Sequence, residues 1–203
     1  MLAKLFIISA PSGAGKTSLA RALIAQCTKC RMSVSHTTRP RRAGEQDGVD
    51  YFYVSQTEFL AMADDGVFLE YAQVYGNYYG TSRLAVEKML SEGTNVLLDI
   101  DWQGARLVRE QMPDAVSISI VPPSVEELER RLRSRGSDSE SVVASRMELA
   151  RAEMSHCSEA DFIVLNDNFN DALNDLSLIL EGESDRLRPL TADLEALLRA
   201  SSA

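Results

Sequence analysis

A short apolar run passes directly into a glycine-rich turn in Leu5-Phe-Ile-Ile-Ser-Ala10-Pro-Ser-Gly13-Ala-Gly15-Lys16-Thr17. The apolar run is typical of a buried strand, and a helical stretch at 18–26 follows the glycines at once. A helix N-terminus attracts negative charge, and the glycines allow backbone N–H groups to converge on an anion. The order strand, turn, helix therefore predicts a phosphate-binding turn in an α/β fold.

Residues 10–17 match the phosphate-loop pattern G-x-x-x-x-G-K-[ST], except that alanine occupies the first position. In such a loop Lys16 reaches the β- and γ-phosphates, and the Thr17 hydroxyl is offered to Mg²⁺. The alternative is a strand-to-helix turn that uses its glycines only for tightness. We predict that the nucleotide-binding residues are Ala10, Pro11, Ser12, Gly13, Ala14, Gly15, Lys16, Thr17 and Ser18.

Asp99 belongs to the predicted buried strand 95–101, where an unpaired carboxylate is costly. We therefore expect a cation beside it, either the Mg²⁺ shell or the ammonium group of Lys16. Asp101 either contributes to the same site or caps the helix that begins near Trp102.

The composition is that of an ordinary globular protein, with 45% hydrophobic and 25% charged residues among 203. This excludes fibrous and disordered classes, and the length suits one domain. The longest apolar run is far shorter than the roughly 20 residues of a membrane span, so we expect a cytoplasmic protein without membrane contact. The net charge of −9 repels a phosphate backbone and disfavours a nucleic-acid polymer as partner.

Positive charge is concentrated in two arginine clusters, at 39–42 and 130–135, which favours small phosphorylated ligands. Cys27 and Cys30 have metal-ligand spacing, but the adjacent His156 and Cys157 make a poor second half of a zinc site. Reduced thiols are the better interpretation of these cysteines.

Strands alternate with helices along the chain, which predicts a largely parallel sheet. The expected elements are strands at 51–54, 67–74, 116–121 and 162–165, helices at 81–91, 141–155 and 167–180, turns at 42–50 and 76–80, and a tail helix from 190. Ser55 with Glu58, and Ser124 with Glu127, have the spacing of capping boxes that open helices. Segment 125–155 is then an arginine-rich helical hairpin, with a polar hinge at 136–140.

Several motifs follow the phosphate loop in order. They are Ser33-Val-Ser35-His-Thr-Thr-Arg39-Pro-Arg41-Arg42-Ala-Gly-Glu45, Gly48-Val-Asp-Tyr51, Phe68-Leu-Glu70-Tyr, Gly76-Asn-Tyr-Tyr79-Gly80-Thr81, Leu98-Asp99-Ile-Asp101-Trp-Gln-Gly104, and Pro122-Pro-Ser ahead of Arg131, Arg135-Gly136 and Arg146. In type and order they resemble the guanylate kinase family over residues 5–180.

The resemblance implies transfer of a phosphoryl group from Mg²⁺-bound ATP to GMP or dGMP. It implies a GMP site made of Ser35, Arg39, Arg42, Tyr51, Glu70, Tyr79, Thr81, Asp99 and Asp101. An ionised Glu70 can accept from both guanine N1–H and its amino group, which adenine cannot match. Strand periodicity alone also allows Glu70 to face water.

The resemblance further implies that Arg131, Arg135 and Arg146 act with Lys16 and Asp99 in catalysis. Arg131 and Arg135 are one helical turn apart and can converge on a phosphate, whereas Arg130 and Arg133 are expected to be solvated. Asn166 stands where the family contacts adenine of ATP, although a turn residue fits that position as well.

We therefore expect an α/β fold with a P-loop three-layer parallel-sheet core, a mixed β/α GMP-binding insert and a helical lid, all in a single domain, 1–203. The core is assigned to 1–34, 94–124 and 158–203, the insert to 35–93 and the lid to 125–157. Packing, homo-oligomer contact and disorder stay open for the tail 181–203. The alternative functions are a related kinase acting on a phosphorylated sugar and a non-catalytic guanylate-kinase-like module that binds a phosphopeptide.

Overall fold

The computed structural model describes residues 2–74, 76–134, 140–190 and 197. The strands are β1 (Leu5–Ser9), β2 (Cys30–Met32), β3 (His36–Thr37), β4 (Phe52–Tyr53), β5 (Phe68–Val74), β6 (Asn77–Ser82), β7 (Asn95–Asp99), β8 (Val116–Val121) and β9 (Phe162–Leu165). The helices are α1 (Lys16–Gln26), α2 (Gln56–Asp64), α3 (Arg83–Ser91), α4 (Trp102–Gln111), α5 (Val125–Arg133), α6 (Glu140–Ser155) and α7 (Phe169–Glu181). Most of the predicted tail helix and most of the predicted hinge lie outside the described residues.

The strands form two sheets of different character. The first has five strands in the order β2-β7-β1-β8-β9, and the pairs β2–β7, β1–β8 and β8–β9 are parallel. The second has four strands in the order β4-β3-β6-β5, with antiparallel pairing of β6 with both β3 and β5. The α/β prediction with a parallel sheet is confirmed.

The chain divides into two compact units. The insert unit comprises Met1–Leu5, Lys29–Leu98 and Gln103–Ala115. The loop unit comprises Phe6–Thr28, Asp99–Trp102 and Val116–Ala203. The boundaries expected for core, insert and lid stay predictions.

The loop unit has a parallel-sheet core because β1, β8 and β9 are apolar along most of their lengths. Ile7 and Ile8 of β1 and Ile118 of β8 are almost completely buried. Helix α1 begins directly after the phosphate loop and contacts α7. In the predicted helical hairpin, α5 and α6 share one hydrophobic cluster that includes Leu132 and Met147.

The insert unit corrects one expectation, because residues expected to form a turn at 76–80 belong mostly to strand β6. This strand pairs with β5 from Asn77 opposite Val74 to Ser82 opposite Phe68. Its tyrosines and threonine favour extended structure and pack well on a pleated surface. The strand therefore begins at Asn77, so the turn is shorter than the one predicted at 76–80.

Helix caps follow the sequence with one exception. Ser55 and Glu58 form the predicted reciprocal capping box. Ser124 accepts a hydrogen bond from the Glu127 N–H, as predicted, but the Glu127 carboxylate binds Arg130 and Arg131 instead of reaching back. Charged partners within one turn outcompete a backbone N–H for that carboxylate.

The three cysteines are free thiols, and Cys30 and Cys157 are buried. Among the residues that the structure describes, no group of three or more His, Cys, Asp or Glu side chains is placed to hold a metal ion. Within the same ranges, every helix is too short or too polar to cross a membrane.

Gly80 is needed in β6 for close packing, not for its backbone angles. A Cβ atom there would lie 2.9 Å from Phe59 Cζ and 3.0 Å from two ring atoms of Phe68. These rings stack at 4.5 Å and are buried, so they have little room to move. We expect Gly80→Ala to lower the free energy of unfolding by about 1–3 kcal/mol, measured by urea denaturation.

The double variant Gly80→Ala, Phe59→Leu serves as the control. It removes the ring atom that the new methyl group meets, so its loss should be smaller than the sum of the two single losses. Additive losses would show that the rings are not the obstacle.

Candidate active site

The phosphate loop requires glycine for two reasons. Gly13 and Gly15 both have φ +94°, a left-handed conformation that other residues rarely adopt. A Cβ on Gly15 would lie 2.5 Å from Asn166 Nδ2, and one on Gly13 would lie 3.0 Å from side-chain atoms of Leu128 and Leu132. The loop backbone is therefore packed tightly against both the β9–α7 turn and α5.

Lys16 is the first residue of α1, and it provides the cation that Asp99 requires. Its Nζ lies 2.6 Å from Asp99 Oδ1 and donates to the Ile100 carbonyl at 3.2 Å. Burial lowers the pKa of Lys16, but attraction and hydrogen bonding to Asp99 outweigh this, so its pKa is raised. The ammonium group of Lys16 therefore stays charged, and its contacts with Asp99 and Ile100 hold it in place.

Asn166 follows β9 and joins three elements around the loop. Its Nδ2 donates to the Ala14 carbonyl at 2.6 Å, and its backbone N–H donates to Val121 at 2.9 Å. Its carbonyl accepts from Arg131 Nη2 at 2.9 Å. Asn166 is only 5% exposed, so its amide positions the loop. The expected contact with adenine stays a prediction.

The arginines of the helical hairpin differ in environment. Arg131 is bound at 2.7 Å by Glu127, whereas Arg130 is 70% exposed, as expected of a solvated residue. Hydrogen bonds from Arg130 and Arg131 lower the pKa of Glu127 to about 2. Arg146 lies half-buried on α6. Arg135 lies outside the described residues.

The remaining residues of the phosphate loop lead into the first turn of α1. The Ala14 N–H donates to the Pro11 carbonyl at 3.0 Å, which closes the turn. Thr17 and Ser18 are exposed in the first turn of α1, and Ala10 is half-buried just after β1. The Thr17 hydroxyl is therefore available to a metal ion.

Glu153 of α6 is a site residue that the sequence did not reveal. Its Oε2 accepts from the Ser12 N–H of the phosphate loop at 2.9 Å. Burial raises the pKa of Glu153, and Lys16 and the Ser12 N–H oppose that rise. Asp101, directly before α4, repels Glu153 and attracts Lys16. No pattern distinguishes Glu153 from the other glutamates of α6.

In the insert unit, Glu70 and Thr81 face each other across strands β5 and β6. Thr81 Oγ1 donates to Glu70 Oε1 at 2.5 Å, and these residues are 0% and 6% exposed. The interpretation in which Glu70 faces water is therefore wrong. Ser35 is half-buried, and its carbonyl accepts from the N–H of Phe52.

The residues predicted to bind the monophosphate surround Arg39. Its guanidinium lies 5.4 Å from the centre of the Tyr51 ring, and that ring lies 5.9 Å from Tyr79. Arg39 Nη2 is 2.7 Å from Oε1 of Glu45, whose other oxygen accepts from the backbone N–H of Arg42 at 2.8 Å. The Arg42 side chain is exposed.

Glu45 closes the arginine motif, and the sequence analysis assigned it no role in the site. It also accepts from the Tyr53 hydroxyl at 2.7 Å. The Arg39 side chain, the Arg42 N–H and the Tyr53 hydroxyl together lower the pKa of Glu45 to about 2. The sequence feature that points to a role for Glu45 is its position three residues after an arginine run, whose positive charges would otherwise repel one another.

The predicted site residues thus fall in two groups. Lys16, Asp99, Asp101, Arg131 and Asn166 belong to the loop unit. The insert unit holds Ser35, Arg39, Arg42, Tyr51, Glu70, Tyr79 and Thr81. The two roles expected for Asp101, capping α4 or binding a ligand, both stay predictions.

A family model described as guanylate kinase matches residues 2–183. This chain belongs to the guanylate kinase family. A guanylate kinase of Yersinia pestis bv. Antiqua (strain Antiqua) is 56% identical over 185 residues, which cover 90% of this chain and 89% of the relative. One from Vibrio cholerae serotype O1 is 53% identical over 198 residues, or 97% of this chain and 96% of the relative.

A crystal structure of guanylate kinase from Anaplasma phagocytophilum has the same fold, with a TM-score of 0.75 and 35% sequence identity. The match covers 90% of this chain and 87% of that one. The fold and the family are therefore established independently of any single motif in this sequence.

Glu45 should make the stability of this protein depend on pH in the acid range. Because its folded pKa is near 2, against about 4.5 in the unfolded chain, its stabilisation is present above pH 4.5 and lost as pH falls towards 2. We expect Glu45→Gln to lower the free energy of unfolding near neutral pH, by an amount that shrinks below about pH 4.5, measured by urea denaturation.

Glu92→Gln, at the exposed end of α3, is the matched control and should show no such trend. A Glu45→Gln deficit that stays constant between neutral pH and about pH 3 would contradict the interaction.

Glu153 should act in the opposite direction, because its folded pKa is raised above 4.5. Stability from this group is present below pH 4.5 and lost as pH rises through the folded pKa. Glu153→Gln keeps an oxygen acceptor for the Ser12 N–H but cannot ionise. The free energy of unfolding of Glu153→Gln, relative to the unsubstituted protein, should therefore rise between about pH 4 and pH 7.

Glu148→Gln on the exposed face of α6 provides the comparison, since it lies on the same helix. If the free energy of unfolding of Glu153→Gln, relative to the unsubstituted protein, falls as pH rises, then burial does not raise the pKa of Glu153.

Proposed function

We propose that this chain transfers the γ-phosphoryl group of ATP to GMP or dGMP, forming ADP and GDP or dGDP. The observation that carries the proposal is the presence, in one chain of this family, of a charged Lys16 on a phosphate loop and a buried Glu70 paired with Thr81. The first feature serves a nucleoside triphosphate, and the second serves a base with two adjacent donors.

In this proposal the loop unit binds ATP. Backbone N–H groups of the loop surround the phosphates, and Lys16 bridges their oxygens while Asp99 holds its ammonium group in place. Asn166 fixes the loop through the Ala14 carbonyl. These contacts place the donor before chemistry begins, and such positioning contributes to the rate of phosphoryl transfer together with electrostatic stabilisation.

Mg²⁺ is the proposed metal, and the residues present fit it. The exposed Thr17 hydroxyl is a hard oxygen donor in the first turn of α1, beside the residue that reaches the phosphates. Mg²⁺ keeps several waters and takes phosphate oxygens, so few protein ligands are required. When bound, it would neutralise charge on the β- and γ-phosphates.

The insert unit is proposed to bind GMP. The two oxygens of Glu70 accept from guanine N1–H and its amino group, and the Ser35 hydroxyl donates to O6 or N7. While Thr81 gives its single hydrogen to Glu70, it orients that carboxylate rather than the base. Adenine lacks both donors and would leave a buried carboxylate unpaired, which strongly disfavours it.

The GMP phosphate is assigned to Arg39, Arg42, Tyr51 and Tyr79. Arginine forks match phosphate oxygens, and tyrosine hydroxyls donate without adding charge. Glu45 already holds one edge of Arg39, so this guanidinium is oriented before a phosphate arrives. Preorganised donors lose less conformational entropy on binding.

Catalysis is proposed to rest on charge placed around the moving phosphoryl group. Lys16, Arg131, Arg135 and Arg146 supply that charge, and Asp99 acts by aligning Lys16. The proposal needs no protein nucleophile, because the acceptor phosphate is itself an anion. A buried Glu70 has no role in a kinase that acts on a sugar phosphate. The Lys16–Asp99 pair has no role in a non-catalytic binding module.

The test is a coupled ADP-release assay with Mg²⁺, ATP and each of GMP, dGMP, AMP, CMP and UMP. We expect turnover with GMP and dGMP alone. Lys16→Met should lower kcat by about 100-fold to 1000-fold, because it removes one charged donor to the phosphates. Glu70→Gln should lower kcat/KM for GMP by at least about 100-fold, since an amide cannot accept two bonds at that edge.

Glu87→Gln, an exposed carboxylate on α3, is the matched control and should leave both parameters unchanged. Equal turnover with AMP and GMP would refute the role of Glu70. Binding of GMP without any ADP release would instead favour the non-catalytic module.

A further inference from the structure

Arg188 lies beyond α7, after a short 3-10 turn at Ser184–Arg186 and outside the segment 2–183 that the family model matches. Its guanidinium nonetheless reaches back to the β9–α7 turn. Nε donates to Asp175 Oδ2 at 2.8 Å, Nη1 to Asp167 Oδ1 at 3.2 Å, and Nη2 to the Leu165 carbonyl at 3.1 Å. One side chain thus binds a helix, a turn and the end of a strand.

Asp175 explains why a cation is held there. This carboxylate is in the buried face of α7 and only 5% exposed. A buried carboxylate without a charged partner is strongly unfavourable. Arg188 provides that partner through the same guanidinium that binds the turn, so the tail segment is anchored where it crosses α7.

The two other acceptors of Arg188 flank Asn166 on both sides. Leu165 precedes it in the chain and Asp167 follows it. Asn166 in turn donates to the Ala14 carbonyl of the phosphate loop at 2.6 Å. Hydrogen bonds thus tie the tail to both neighbours of Asn166 and tie Asn166 to the loop, and the backbone of the β9–α7 turn joins the two sets.

We propose that Arg188 is a positioning residue for ATP, which holds the β9–α7 turn so that Asn166 can fix the phosphate loop. This inference rests on the proposed function, because it assumes that the loop binds ATP. It gives the tail a role at the donor site through Asn166. Arg188 itself touches neither substrate nor reacting atoms.

Loss of Arg188 should weaken ATP binding more than GMP binding. Without it the turn gains freedom, and the bond between Asn166 and Ala14 forms only part of the time. One lost or loosened hydrogen bond of this kind corresponds to about a fivefold to tenfold loss of ATP affinity. The residues Ser35, Arg39, Arg42, Tyr51, Glu70, Tyr79 and Thr81, assigned to GMP, belong to the insert unit, whereas the three hydrogen-bond acceptors of Arg188 given above belong to the loop unit.

The variants separate positioning from stability. Arg188→Ala removes every contact, but it also leaves Asp175 without a cation and lowers the melting temperature. Arg188→Lys keeps a positive charge for Asp175, but a single ammonium group cannot reproduce the planar fork. Arg186→Ala is the matched control, because Arg186 is 66% exposed and pairs only locally with Glu183.

The experiment measures ATP affinity by titration calorimetry, the KM values for ATP and GMP, and the melting temperature of each variant. We expect Arg188→Ala to weaken ATP binding by about fivefold to tenfold, with KM for GMP within about twofold of its original value. Arg188→Lys should fall between, with a melting temperature close to that of the unsubstituted protein. Arg186→Ala should change nothing.

The proposal is overturned if ATP affinity is unchanged in both Arg188 variants, or if KM rises equally for ATP and GMP. If Arg188→Ala does not fold, Arg188→Lys decides, and a loss of ATP affinity below about twofold overturns the proposal. Absence of GMP-dependent turnover in the unsubstituted protein would refute the proposed function instead, since calorimetry reports ATP binding without turnover.

Discussion

A lysine that serves phosphate groups must stay charged while being partly withdrawn from water. In this protein the 2.6 Å contact between Lys16 Nζ and Asp99 Oδ1 meets that demand. Burial alone lowers the pKa of a lysine, and the carboxylate reverses the effect. The contact also fixes two chain segments, since Lys16 starts α1 and Asp99 ends β7. The glycines, Asn166 and Arg188 act on a loop whose position is set by that pair.

The phosphate loop and the arginine motif at 39–42 each contain donors suited to phosphate that are bound by a carboxylate. Glu153 takes the Ser12 N–H of the phosphate loop, and Glu45 takes Arg39 and the Arg42 N–H. Concentrated positive charge repels itself, and an internal carboxylate relieves that repulsion while keeping the donors aligned. The two carboxylates differ in the stability of their charged forms. Hydrogen bonds stabilise ionised Glu45 and lower its pKa, whereas burial disfavours ionised Glu153 and raises its pKa.

The parts predictable from the sequence are those with local causes. A glycine-rich turn with Gly-Lys-Thr dictates strand, loop and helix, and a carboxylate in an apolar strand requires a cation, which identified Asp99. Strand β6 was missed because its glycine and asparagine suggest a turn, whereas the strand pairs with β5 and its Tyr78 ring stacks on Phe59 of α2. The burial of Glu70 was undecided by periodicity, since its environment depends on the strand opposite it.

Glu153 and Arg188 carried no sequence signal for a physical reason. Each makes its decisive contact across a separation in sequence, Glu153 with Ser12 and Arg188 with Asp175 and the Leu165 carbonyl. Two of these acceptor and donor groups are backbone atoms, whose chemistry is identical at every position. A side chain that recognises backbone leaves no complementary residue type to detect, so positioning residues of this kind emerge only when the folded chain brings them to the loop.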